Sequence, residues 1–175
     1  DFVATFIHAG PDAIYRSYSS AGNAALIKKS TSLTAANVAL DANWAPAAGE
    51  TIGDPGVQVT RLATLGERLV VGKRDGIAEF DATFTARRYL EWMAAFSWEY
   101  NNNLIIPLGQ AGEFITSFRR GLWLLPLNKS IGVETLLNNR SETKGRYTTG
   151  AYDGNWIYTI IENITTTDSH LVKMR

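Results

Sequence analysis

The sequence predicts an all-β fold assembled from repeated antiparallel sheets, and two observations carry that expectation. Three segments each run up an apolar stretch, turn at a glycine with a polar neighbour and run back. They are Arg68 to Asp81 (RLVVGKRDGIAEFD), Asn103 to Phe118 (NLIIPLGQAGEFITSF) and Arg146 to Ile161 (RYTTGAYDGNWIYTII). Paired apolar runs around a short glycine turn signal a β-hairpin. The turn glycines Gly76, Gly112 and Gly154 stand 36 and 42 residues apart, close to the roughly 40 to 45 residues of one four-stranded propeller blade. At 175 residues the chain holds about four such blades, the lower end of the range for propellers. The expected architecture is therefore a β-propeller of about four blades over 1–175, either a small complete ring or a partial, open piece of a larger one, forming one domain or a fragment of one. Asp1 opens the chain and no methionine precedes Met93, which suggests a processed chain or a segment of a larger one.

Residues 1–20 read as a first hairpin, FVATFI and AIYRSYS, around Gly10 and Pro11. Glycine tolerates positive φ and proline presets φ near −65°, so the pair marks a turn. Residues 21–56 are poorer in aromatic and β-branched residues and carry Pro46, Gly49, Gly53, Pro55 and Gly56. They read as one or two weak strands and a long connection, with Leu26, Ile27, Val38 and Leu40 as core candidates. From Val57 the pattern sharpens into VQVTRLATL, RLVVGK, a turn at Arg74, Asp75 and Gly76, and IAEFD. Asp-Gly between apolar runs is a strong hairpin cue, with Gly76 expected to take the left-handed conformation and Ile77 and Phe80 to be buried. Glu79 alternates with them as if on a solvent face.

Residues 86–100 (ARRYLEWMAAFSWEY) place Tyr89, Met93, Phe96 and Tyr100 at helical spacing among good helix formers, so a short helix competes with a strand there. Asn101, Asn102 and Asn103 read as a polar turn before LIIPL, where Pro107 requires an edge strand or a bend. EFITSF and GLWLLPL flank Arg119, Arg120 and Gly121 as another hairpin. A polar connection then runs from Asn128 to Gly145, interrupted by Ile131, Val133, Leu136 and Leu137. The last hairpin ends in IYTII, before a threonine-rich turn at Asp168 and a final strand, HLVKM.

Seventeen basic residues balance seventeen acidic ones, so no electrostatic footprint for nucleic acid or an anionic membrane surface is present. The chain has no cysteine, which removes disulfides, thiolate nucleophiles and cysteine-based metal sites. No apolar run approaches the ~20 residues that span a bilayer as a helix. Two histidines, His8 and His170, are too few for a histidine metal site, and no catalytic or phosphate-binding motif appears. Glycosidases use two carboxylates, and Asp75, Glu79, Asp81, Glu113 and Asp153 are the candidates. Asp75 and Asp153 each precede a turn glycine, where aspartate bonds its own backbone, so neither marks an acid or a nucleophile. No cofactor, metal or catalytic residue is expected. Trp44, Trp92, Trp98, Trp123 and Trp156 would fill the wedges between blades. Trp92 and Trp98 are the least committed to a strand face, and so are the candidates for stacking on a sugar.

GDPGVQVTRL (53–62), LVVGKRDGIAEFD (69–81), LIIPL (104–108), IGVE (131–134), DGNWIY (153–158) and HLVK (170–173) follow one another in order. This series resembles the propeller-like, WD40-type virion proteins of tailed bacteriophages, in which a "VGKxDGLxxxD" hairpin precedes a "LYxP" strand and a later "DGxWLY" strand. The resemblance covers residues 40–175 and is clearest over 53–81 and 153–173. It implies a non-enzymatic structural component of a tail, tail-tip, fibre or capsid-associated assembly, located in the virion. The partners implied are other virion proteins or further blades of a larger chain, and the chain is a candidate homo-oligomer. Lys73, Asp75, Gly76, Asp81, Asp153, Gly154 and Trp156 would then be architectural, with Gly10 and Gly112 as further turn positions. The alternative is a carbohydrate-binding module that recognises a host glycan through exposed aromatics.

Overall fold

The computed structural model describes residues 4–20, 22–34, 38–81, 83–90, 101–108, 112–118, 121–126, 134–135, 146–162 and 168–174. Four antiparallel sheets follow one another along the chain, each a simple meander. Blade 1 comprises β1 (Ala4–Ala9), β2 (Ile14–Ser20), β3 (Asn23–Ser30) and β4 (Trp44–Thr51). Blade 2 comprises β5 (Val59–Leu65), β6 (Arg68–Lys73), β7 (Gly76–Phe80) and β8 (Ala86–Leu90). Blade 3 comprises β9 (Ile105–Pro107), β10 (Glu113–Phe118), β11 (Gly121–Pro126) and β12 (Glu134–Thr135). Blade 4 shows β13 (Arg146–Tyr152), β14 (Ile157–Glu162) and β15 (Ser169–Met174).

The first strands form the hub: β1 lies against β5, β5 against β9, and β9 against β13. Among the described residues no packing of that extent joins blade 4 to blade 1, as in a partial or open propeller. The core is divided among the seams. Tyr15, Ile27, Leu62, Leu69, Val71 and Phe80 fill the first seam. Ala63, Val70, Ile77, Ile105, Phe114 and Leu125 fill the second. Leu104, Ile106, Ile115, Leu122, Tyr147, Ile157 and Ile161 fill the third. Successive side chains along a strand point to opposite faces. An inner blade is covered on both faces, which explains why Leu69, Val70 and Val71 form an unbroken apolar run with Leu69 and Val71 in one seam and Val70 in the next. All three predicted hairpins form, as β6–β7, β9–β10 and β13–β14. Pro107 lies on the edge strand β9 of its sheet, where its missing N–H costs no ladder bond.

Several expectations need correction. Glu79 is buried, because blade 3 covers the face it shares with Ile77, and its Oε1 accepts a 2.6 Å bond from Arg68. Leu40 is exposed, whereas Trp44 is buried with the Arg16 guanidinium 4.2 Å from its ring centroid. Gly76 is not in the left-handed region. It is the first residue of β7 and pairs with Lys73 across the two-residue turn Arg74-Asp75, a position where glycine suits an ordinary turn without positive φ. Gly112 and Gly154 do take positive φ, 73° and 99°. Residues 86–90 form strand β8 rather than helix, paired with β7, while 91–100, including Trp92 and Trp98, lie outside the described residues. So do Arg119 and Arg120, residues 131–133, and Leu136 and Leu137. Asn101, Asn102 and Asn103 form the expected turn, but within it Asn101 and Asn102 are fully buried.

Candidate functional site

In a meander, alternate turns gather at the same end of the blades. One end therefore collects the β4–β5, β6–β7 and β8–β9 connections, and the other collects β1–β2, β3–β4, β7–β8 and β13–β14. These two rims hold the polar constellations of the molecule.

At the first rim Lys73 is fully buried, and its Nζ donates 2.6 Å bonds to the carbonyls of Ile52 and Asp54 while lying 3.7 Å from Asp75 Oδ1. Asp75 is also buried, and its Oδ1 accepts no hydrogen bond among the described residues. Asn102 ties this turn to blade 3. Its Nδ2 donates to Lys73 O (2.7 Å) and Gly76 O (3.0 Å), and its Oδ1 accepts from Thr116 Oγ1 (2.7 Å). Its carbonyl accepts from Thr60 Oγ1 at 3.1 Å. Asn102 adopts φ 57°, a conformation that asparagine tolerates better than most residues. The fit is close: a Cβ on Gly72 would stand 2.8 Å from the Asn102 Cβ. Apart from Asp75 Oδ1, the polar side-chain groups named here bond within the turn and its seam.

At the second rim, the Asp153 carboxylate organises the turn before β14. Oδ1 accepts from the amides of Asn155 (2.9 Å) and Trp156 (2.8 Å), and Oδ2 accepts from the Tyr158 hydroxyl. Those amides hold the carboxyl below its ordinary range. Lys173 lies 4.3 Å over the Trp156 ring. Asp81 acts likewise in blade 2, its Oδ1 accepting from Thr83 N, Thr83 Oγ1 and Thr85 N. That loop carries Phe84 at φ 60°, stacked 4.9 Å from Phe80 and 6.0 Å from Tyr15. Beside Phe84, in the seam between blades 1 and 2, opens a cleft of about 590 Å³ lined by Asp12, Lys29, Pro46, Glu50 and Thr83 among others. At the hub, His8 Nε2 lies 3.1 Å from Thr64 Oγ1. Burial, and then the nearby Arg61 charge, hold this imidazole below its ordinary pKa.

Of the five carboxylates considered from sequence, Asp75 faces Lys73, Glu79 faces Arg68, Asp81 and Asp153 bond their own loops, and Glu113 opens β10, so four of the five are held by other partners rather than by one another. Among the described residues no group of three histidines or carboxylates is placed to hold a metal ion, and no helix is long and apolar enough to cross a membrane. Gly10 closes the β1–β2 turn through its amide to Ala13 O (2.8 Å). The cleft escaped sequence reasoning because its walls come from separate segments of two blades, and only their packing makes them neighbours.

Neither a protein family nor a curated protein matches the chain in sequence. Solved structures do match. The β-propeller domain of Cps50 (Swd1) from Myceliophteria thermophila superposes with a TM-score of 0.65 at 10% identity, covering 98% of this chain and 51% of that one. The N-terminal domain of Nup159 gives 0.54 at 9% identity, covering 98% and 44%. The aldose sugar dehydrogenase of Streptomyces coelicolor, in its PQQ-bound form, gives 0.55 at 14% identity, covering 99% and 61%. The fold is that of a β-propeller. At these identities the likeness concerns the fold alone. The chain spans about half the length of the Swd1 and Nup159 propeller chains that it matches.

Proposed function

We propose that this chain is a rigid, non-enzymatic β-propeller scaffold of a tailed-bacteriophage virion, in a tail, tail-tip, fibre or capsid-associated position, where it joins other virion proteins. The observation that carries this reading is the ordered motif series from GDPGVQVTRL through LVVGKRDGIAEFD and DGNWIY to HLVK. Lys73, Asp75, Gly76, Asp81, Gly112, Asp153, Gly154 and Trp156 serve as turn and blade positions. In support, the polar side chains among them bond within their own turns and seams and leave the rim loops to vary. A fold-level precedent for partner binding is Nup159 itself, which is seen with Dbp5 bound in Saccharomyces cerevisiae complexes. Further blades of a larger polypeptide, or a second copy, complete the ring.

The test is to purify particles from a producing host by density gradient, digest them for mass spectrometry, and label intact particles with gold-conjugated antibody against this chain. Peptides in constant ratio to the major structural proteins, with labelling at one place on the particle, are expected. Absence of the chain from intact particles overturns the reading.

A further inference from the structure

We propose that the cleft between the first and second blades seats an arginine side chain presented by a protein partner. The inference rests on the reading of this chain as a scaffold for protein contacts, and it names where and by what chemistry one contact is made. At about 590 Å³ the cleft falls inside the range of roughly 300 to 1,000 Å³ typical of sites for small ligands, enough for one long side chain and its flanking backbone.

The charges within it select the occupant. Lys29 Nζ lies 3.4 Å from Asp12 Oδ2, so the one lysine lining the cleft already faces a carboxylate. Glu50 also lines the cleft and is partly buried, and its carboxylate makes no hydrogen bond or ion pair among the described residues. One negative charge is left over in a partly desolvated place, where a cation that donates two parallel N–H bonds gains most. The neighbouring walls are Pro46 and the Phe84 ring. A planar, weakly hydrated guanidinium stacks on such surfaces, whereas an ammonium remains more strongly hydrated. Phe84 is held in advance: its loop is clamped by three bonds to Asp81 Oδ1, and its ring packs on Phe80. Little side-chain freedom is lost there on binding.

Other ligand classes fit less well. An anion would meet two carboxylates for one lysine that is already paired. A neutral sugar could donate its hydroxyls to Glu50 but would leave the surplus negative charge uncompensated, and Thr31 Oγ1 and Thr83 Oγ1 already donate to Asn43 O and Asp81 Oδ1.

The test is titration of the isotopically labelled chain with N-acetyl-arginine amide, its citrulline analogue and a neutral disaccharide, followed by amide chemical shifts. The arginine probe should shift the amides of Glu50, Thr83 and Phe84 with millimolar affinity that weakens as salt rises, while citrulline and the disaccharide should not. Glu50→Gln should weaken arginine binding about tenfold by removing a charge-assisted pair, and its unchanged unfolding midpoint would show that the fold is intact. Lys29→Ala should strengthen arginine binding by removing a like charge. Citrulline binding as well as arginine, binding unchanged in Glu50→Gln, or disaccharide binding in the cleft overturns the proposal. If the arginine probe binds as expected while intact particles lack the chain, the virion reading fails and the cleft stands. If particles contain the chain but the probe leaves the cleft unperturbed, the cleft proposal alone fails.

Discussion

Lys73→Met tests the physical account of the first rim most directly. The substitution keeps an unbranched side chain of similar length in a fully buried position, but removes both 2.6 Å bonds to Ile52 O and Asp54 O. It also strands the buried Asp75 carboxylate, whose Oδ1 lies 3.7 Å from the ammonium and has no hydrogen bond among the described residues. Removing one member of a buried ion pair costs about 3 to 5 kcal/mol, because the remaining charge is left uncompensated. In a domain of this size each kcal/mol moves the midpoint by ~2 to 4 °C, so Tm should fall by roughly 6 to 20 °C. Asp75→Asn should cost less, since Lys73 keeps its two carbonyls. The double variant Lys73→Met/Asp75→Asn should recover part of the single-variant loss, with a coupling of about 0.5 to 3 kcal/mol, as for residues in direct contact. Urea and thermal unfolding followed by tryptophan fluorescence, with the four chains compared at one pH, measure these free energies and midpoints. A loss below ~1 kcal/mol in Lys73→Met, the range of an exposed pair, refutes the reasoning, as does a double variant no better than the sum of the singles.

Three further outcomes follow from other parts of the molecule. Gly72→Ala places a methyl 2.8 Å from Asn102 Cβ and 2.9 Å from its carbonyl oxygen, and should destabilise by ~1 to 3 kcal/mol through overpacking, seen as a lower thermal midpoint. His8 has a folded pKa below the ordinary 6.5, so below that pH the unfolded chain binds more protons than the folded one. Its stabilising contribution is complete above pH ~6.5 and is lost as pH falls towards the folded value; His8→Gln should flatten this part of the stability profile in urea titrations at stepped pH. Asp153→Ala removes the acceptor of the Asn155 and Trp156 amides. Hydrogen exchange at those two amides should quicken, while the urea midpoint of the whole domain stays unchanged.

How much of the molecule could be read from sequence depends on the distance over which each determinant acts. The hairpins, the β5 strand and the burial of Ile77, Phe80 and Ile27 follow from alternation and turn chemistry within about ten residues, and these are as expected. The one or two weak strands expected within residues 21–56 are two, β3 and β4. From sequence, helix and strand stand open over residues 86–100; over Ala86–Leu90 the edge of β7 decides for strand, because pairing with it outweighs a modest helix preference.

Burial of polar groups was not readable, since it depends on what the neighbouring blade places opposite. Glu79 looks solvent-facing until blade 3 covers its face. Asn102 looks like a loop residue until its amide meets the Lys73 and Gly76 carbonyls. The cleft between blades 1 and 2 has no linear signature at all, because Asp12, Lys29, Glu50 and Phe84 come from four separate segments. Sequence by itself determined that this chain is a succession of antiparallel hairpins, because hairpin formation is local. The tertiary structure alone decided which polar side chains are buried in the seams and where a cleft opens between two blades, because each depends on how one blade's face meets the next.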